Sequence, residues 1–177
     1  MRLTQRAHAL VAARLSPGDI AIDATAGNGH DTLFLARCVG PDGHVFAFDI
    51  QAHALQSTRR RLRDDAPQLI DCVTLLHASH ADMPDHVPGL HAGRVRAVMF
   101  NLGYLPGSDK ETTTRTDDTV RAMHGALALV APDGVISVLA YRGHPQGREE
   151  LVGLAALFNA TRDRVDWEEH GAAPNPA

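Results

Sequence analysis

The sequence predicts an α/β protein, a mostly parallel sheet with helices on both faces. Two observations predict it. Short apolar runs alternate with segments of helical period, and those runs are apolar on both faces, without the in–out alternation of a half-exposed strand. The first element is a helix, from Leu3, Ala7, Leu10, Val11 and Leu15 at helical spacing, stopped by Ser16-Pro17-Gly18-Asp19. Ile20-Ala21-Ile22 is a short buried strand ending at Asp23. A Gly-containing turn leads to a helix carrying Leu33, Phe34, Leu35, Ala36 and Val39, broken by Gly40-Pro41-Asp42-Gly43. Val45–Phe48 is the second strand, residues 51–63 a helix, and Cys72–Leu76 the third strand. Residues 82–93, with two Pro and two Gly, read mostly as loop, and Val95–Phe100 is the fourth strand. Asp117 is a plausible N-cap for a helix with Val120, Met123, Leu127 and Val130 on one face. Ala131-Pro132-Asp133-Gly134 turns into a fifth strand, Val135–Ala140. A last helix carries Leu151, Leu154, Ala155 and Phe158, and a weak strand follows near Val165–Trp167.

At 177 residues the chain has room for one domain, 1–177, with an Ala/Pro-rich tail at 171–177. No apolar stretch reaches the ~20 residues of a membrane span. Arg2, Arg6 and Arg14 interrupt any secretory leader, and two cysteines, Cys38 and Cys72, in separate apolar segments argue for buried thiols in a reducing compartment. The expectation is a cytoplasmic protein with no membrane association. None of the 11 histidines has metal-ligand spacing, so no metal is expected. Net charge is −4, which does not favour sequence-independent nucleic-acid binding; the cluster Arg59, Arg60, Arg61 and Arg63 is most simply a solvated helix face.

Ligands of open α/β sheets bind beyond the carboxyl ends of the strands. Those positions here are Asp23–Asp31, Asp49–Gln51, Ser79–His80, Asn101–Lys110 and Tyr141–His144, all polar or Gly-rich. In DATAGNGHDT, Gly27 and Gly29, on either side of Asn28, allow a sharp turn and close ligand approach. Asp49, 22 residues beyond Gly27, is spaced as an acid that binds ribose hydroxyls. A dinucleotide needs a third glycine and a helix start free of negative charge. Thr32 and Asp31 stand there instead, which disfavours NAD and suits S-adenosylmethionine, whose amino-acid end carries an ammonium. Methyl transfer is an in-line displacement. In FNLGYLPGSDK, the Asn101 side-chain oxygen and the Leu102 carbonyl can accept from an amine, and the Tyr104 ring can stack on a base. Lys110 is the only lysine of the chain. The stretch resembles the NPPY motif of amino-methylating nucleic-acid enzymes, with Leu-Gly replacing Pro-Pro.

DATAGNGHDT and FNLGYLPGSDK, with HVFAFDIQ between them and YRGHPQGREE after, together resemble a bacterial family labelled rRNA methylases. Its characterised members are tRNA methyltransferases acting on the 5-aminomethyl group of wobble 2-thiouridine. The resemblance runs from about Asp19 to Phe158. It implies a class I S-adenosylmethionine-dependent methyltransferase fold (Rossmann-like) and a tRNA or other RNA partner. By the match Asp23, Gly27, Gly29, Asp49 and Gln51 carry over to the cofactor side, joined there by Asn28, Asp31, Thr32, Ser79, His80 and Asn101. Asn101, Tyr104 and His144 carry over to the acceptor side. An alkyl amine with a Lys-like pKa of ~10.4 must lose its proton before attack, and His144 is the candidate to help.

The family ends with an antiparallel strand, whereas this chain ends in AAPNPA, so that final strand is expected to be missing. The weakened edge predicts that Trp167 is mobile or packed on a partner chain, and a homodimer is one such assembly. Alternatives to the wobble-uridine reading are methylation of an rRNA base or a small-molecule amine, and a non-catalytic S-adenosylmethionine-binding domain.

Overall fold

The computed structural model describes residues 2–102, 116–140, 145–161, 163 and 165–170. Five strands form one sheet, β1 (Ile20–Asp23), β2 (His44–Asp49), β3 (Val73–His77), β4 (Val95–Leu102) and β5 (Val130–Ala140), in the order β3-β2-β1-β4-β5. Every neighbouring pair is parallel. The helices are α1 (Leu3–Ala12), α2 (His30–Val39), α3 (Ala52–Asp65), the single turn α4 (Met83–His86), α5 (Thr116–Leu129) and α6 (Pro145–Ala160). None of the described helices is long and apolar enough to cross a membrane.

The apolar runs are explained by two cores, one per face. Ala21, Val45, Ala97 and Met99 pack with Ala7 and Val11 of α1, Leu35, Ala36 and Val39 of α2, and Leu62 of α3. Their immediate neighbours Ile22, Phe46, Val98 and Phe100 pack on the other face with Ala122, Met123 and Ala126 of α5 and Leu154 and Leu157 of α6. Successive residues of a strand point to opposite faces. A strand covered on both sides therefore needs apolar residues at every position.

The chain steps outward from β1 through β2 to β3, then returns to place β4 on the other side of β1. The reversal opens a crevice between the carboxyl ends of β1 and β4, where such sheets bind ligands.

Several expectations are corrected. Residues 82–93 hold α4 and the short 3-10 turn Gly89–His91, not plain loop. The third strand runs Val73–His77, because Pro67–Cys72 forms a 3-10 turn. β4 continues through Asn101 and Leu102, which pair with Leu139 and Ala140. Asp117 lies within the first turn of α5 and does not cap it. β5 begins at Val130, and the Pro-Asp-Gly segment is absorbed as a register shift between Val95 and Ala97. Leu10 is exposed on α1, and Cys38 is only partly buried whereas Cys72 is buried. Residues 165–167 form no strand; Trp167 stacks on Phe158 within the chain, with ring centroids 5.4 Å apart.

Candidate active site

The loop from Asp23 to His30 is spread between the neighbours of β1. The Ala24 N–H donates to Met99 O and the Ala26 N–H to Phe48 O, both at 2.8 Å. Gly27 and Gly29 have φ of 51° and 79°, in the left-handed region that favours glycine. Gly29 also lies against α3, where a Cβ would be 2.8 Å from Thr58 Cα. The turn is thus held by absence of side chain at one point and by side-chain hydrogen bonds from three other residues. Asp49 Oδ2 accepts from Gly27 N–H at 2.8 Å, Thr58 Oγ1 donates to Gly27 O at 3.0 Å, and Arg61 Nε donates to Asn28 O at 2.7 Å. Arg61 also lies 3.2 Å from His30 Nε2.

Arg61 therefore differs from Arg59, Arg60 and Arg63, which are exposed. Thr58, fully buried on the stripe Ala54-Thr58-Leu62, was visible in the sequence as a polar residue at an apolar position. Thr58→Val leaves the Gly27 carbonyl short of a donor. We expect a loss of about 1 kcal/mol in unfolding free energy, read by urea titration; an unchanged midpoint would show that water replaces the hydroxyl.

Asp49 makes a second bond, from Gln51 N–H to Oδ1 at 2.8 Å. Asp23 is fully buried at the end of β1, accepting from Thr25 N–H at 3.0 Å and Thr32 Oγ1–H at 2.6 Å. Burial, then the nearby Asp31 carboxylate, push its pKa up to about 7, against the two hydrogen bonds; Asp49 adds a smaller push. Asp31, in the first turn of α2, lies 2.6 Å from His8 Nε2 and accepts a long 3.5 Å contact from Asn101 Nδ2. The Asn101 backbone N–H donates to Thr25 Oγ1 at 2.8 Å. Thr25 so links Asp23 to Asn101 across the switch point, a role with no sequence signal beyond its place in the loop.

On the β3 side, Ser79 caps a 3-10 turn by accepting from Ala81 N–H at 3.2 Å. His80 is buried with its ring edge against Phe100, and Nδ1 donates to Ala24 O at 3.1 Å. Burial holds its pKa below the ordinary 6.5, so the ring is neutral at pH 7. That tautomer leaves Nε2 as a buried acceptor without a partner among the described residues. Hydrogen bonds thus tie Asp23, Thr32, Asp31 and Asn101 together at the β1–β4 switch point, Asp49 to Gly27 and Gln51, and His80 to Ala24, with Asn28 and Gly29 in the same loop and Asp23 and Thr32 fully buried beneath it. Tyr104, Lys110 and His144 lie outside the described residues.

Asp31 and Asp49, joined by Asp23 where it is ionised, with no lysine or arginine among those residues, make these strand ends suited to a cationic ligand. A pyrophosphate would meet Asp31 at the start of α2, where an anion site needs free N–H groups.

A family model described as "Putative rRNA methylase" matches residues 45–165. A chloroplastic tRNA (mnm5s2U34)-methyltransferase of Arabidopsis thaliana is 41% identical over 173 residues, 94% of this chain and 62% of that protein. A ribosomal RNA small subunit methyltransferase H of Streptomyces avermitilis is 34% identical over 95% of this chain and 59% of its own length. The chain thus spans about three fifths of each of these two relatives. Among solved structures, a protein of Clostridium thermocellum described as "putative rRNA-methylase" aligns with TM-score 0.83 and 38% identity, covering 90% of this chain and 82% of that one. A protein of Streptococcus mutans described as "a putative methyltransferase", in complex with SAH, aligns with TM-score 0.76, 31% identity and the same coverage.

Proposed function

The chain belongs to the family of rRNA methylases matched over residues 45–165, and from that premise we propose that it is an S-adenosylmethionine-dependent N-methyltransferase of tRNA. Its acceptor in this reading is the aminomethyl group of wobble 5-aminomethyl-2-thiouridine. The observation that carries the reading is the contact of the Asn101 amide at the end of β4 with the Asp31 carboxylate beside the end of β1.

The residues present fit the cofactor. Asp49 keeps free lone pairs after its two backbone bonds and can accept from ribose hydroxyls. Asp23 and Asp31 supply the negative charge that an ammonium and a sulfonium need. The bound cofactor supplies an electrophilic methyl group. The chain then has to hold a nucleophile in line with it and keep the nitrogen lone pair free. Asn101 is built for this. Its Nδ2 faces the Asp31 carboxylate, which can only accept, so Oδ1 is left to take a hydrogen from the amine.

Asn101→Ala is expected to slow transfer about tenfold while changing cofactor affinity little, since the lost bond matters where the nitrogen attacks. Single-turnover kinetics beside calorimetric titration separate the two; a loss confined to cofactor affinity would move Asn101 to the cofactor side.

The reading is tested by mass spectrometry of nucleosides from undermodified tRNA incubated with protein and S-adenosylmethionine. A methylated wobble nucleoside is the expected product. The similarity to the small-subunit enzyme over nearly the whole chain favours a second reading, methylation of an rRNA base. Product from undermethylated ribosomal RNA with none from tRNA would establish that instead, and binding without transfer to either would leave a non-catalytic domain.

A further inference from the structure

His8 belongs to none of the sequence motifs, and it precedes the residues matched by the family model. Yet α1 carries it to the rim of the crevice. Its ring stacks flat on Phe34 of α2, centroids 3.9 Å apart and planes 2° from parallel. Its Nε2 meets Asp31 Oδ1 at 2.6 Å, and because a carboxylate only accepts, Nε2 is the donor. Asp31 is buried beside Asp23 and is repelled by it. A buried carboxylate with a like charge beside it and no donor would turn toward water. The stacked imidazole prevents that, and the second oxygen, Oδ2, is left facing Asn101 Nδ2.

We propose that His8 is a positioning residue of the transfer step, fixing Asp31 and, through Asp31, the orientation of the Asn101 amide. The inference rests on the reading above, in which Asn101 Oδ1 receives the acceptor amine. It makes α1 part of the active site and not merely a cover for the sheet. The chain of contacts is His8 Nε2–H to Asp31 Oδ1, then Asn101 Nδ2–H to Asp31 Oδ2. If the first is removed, the amide is free to flip, and the flipped amide presents N–H groups to an amine that needs an acceptor.

Two substitutions divide the stack from the hydrogen bond. His8→Phe keeps a flat ring on Phe34 and loses the N–H; His8→Gln keeps an N–H near the position of Nε2 and loses the stack. Positioning predicts that His8→Phe transfers methyl about tenfold more slowly at saturating cofactor, whatever its melting temperature. His8→Gln is expected to transfer within about threefold of wild type despite a lower melting temperature. A purely structural role predicts the reverse order. The Asn101 side-chain amide, followed by NMR after selective labelling, reports on the same contact without any RNA. Its resonances are expected to move in His8→Phe and to stay in His8→Gln. Wild-type transfer by His8→Phe, or an unmoved Asn101 amide, would overturn the proposal. If the wild-type protein fails to methylate tRNA, the function assigned above falls, and the amide resonances alone decide the role of His8.

Discussion

Asp49→Ala is expected to weaken S-adenosylmethionine binding at least about a hundredfold, a loss of about 3 kcal/mol. Spacing alone reads Asp49 as a ribose ligand. The structure gives it two further duties, because Oδ2 holds Gly27 N–H and Oδ1 holds Gln51 N–H. Hydrogen bonds to a charged group are each worth about 1.5–3 kcal/mol. Alanine leaves both donors without their partner and unties the turn from β2, before any ribose contact is lost. The loop would have to be ordered by the ligand at the ligand's expense. Titration calorimetry of the purified variant measures it. A dissociation constant within a few-fold of wild type would mean that Thr58 and Arg61 hold the loop unaided.

Asp23→Asn is expected to act in two opposed directions. The carboxyl's ordinary pKa of 3.8 is pushed up to about 7 by burial first and Asp31 second. The folded protein therefore binds a proton that the unfolded chain releases between those values. The stability this proton confers is complete below pH 3.8 and is lost as pH rises through about 7. Above pH 7 the buried charge costs about 4 kcal/mol, at about 1.4 kcal/mol for each pH unit between the two values. Asparagine carries no such charge. It can still accept from Thr25 N–H, and its own amide can donate to the Thr32 hydroxyl, which reorients to accept. The ligand-free variant is thus expected to be about 2–4 kcal/mol more stable than wild type at pH 8 and nearly equal to it at pH 4. Urea unfolding at the two values checks this; an equal effect at both would show that proton binding is not involved. The same variant is expected to bind the cationic cofactor more weakly, so stability and function part company at one atom. In the wild type, cofactor binding near pH 6.5 is expected to release a proton, visible as a buffer-dependent heat.

The reach of the sequence differed between elements for physical reasons. A strand buried on both faces, such as β2, announces itself because its inner positions are all constrained by packing. Asp23, Gly27, Gly29 and Asp49 were legible because strand ends in this architecture converge on one crevice. His8 was not, since its partner is fixed by where α1 lies across the sheet, and nothing in the local pattern encodes that. Thr58 and Arg61 belong between these cases. Thr58 interrupts an apolar stripe, a readable anomaly, whereas Arg61 looks like any member of an arginine run until Asn28 O is found beside it. The β5 start was misplaced because Pro-Asp-Gly reads as a turn, and the sheet accommodates it as an irregularity of register.

The strand order also has a consequence for synthesis. A ribosome delivers β1, β2 and β3 well before β4, yet β1 lies at the centre of the finished sheet between β2 and β4. During that interval one edge of β1 has no partner, and the Ala24 and Thr25 groups that will meet Met99 and Asn101 are open to solvent or to other chains. The ligand loop is already tied to Asp49 by then, but its second wall has not been made. A nascent chain arrested just before Val95 is accordingly the vulnerable species. It is expected to be cut by protease far faster than one arrested beyond Ala140, and equal cutting would mean that the first three strands already form a self-sufficient unit.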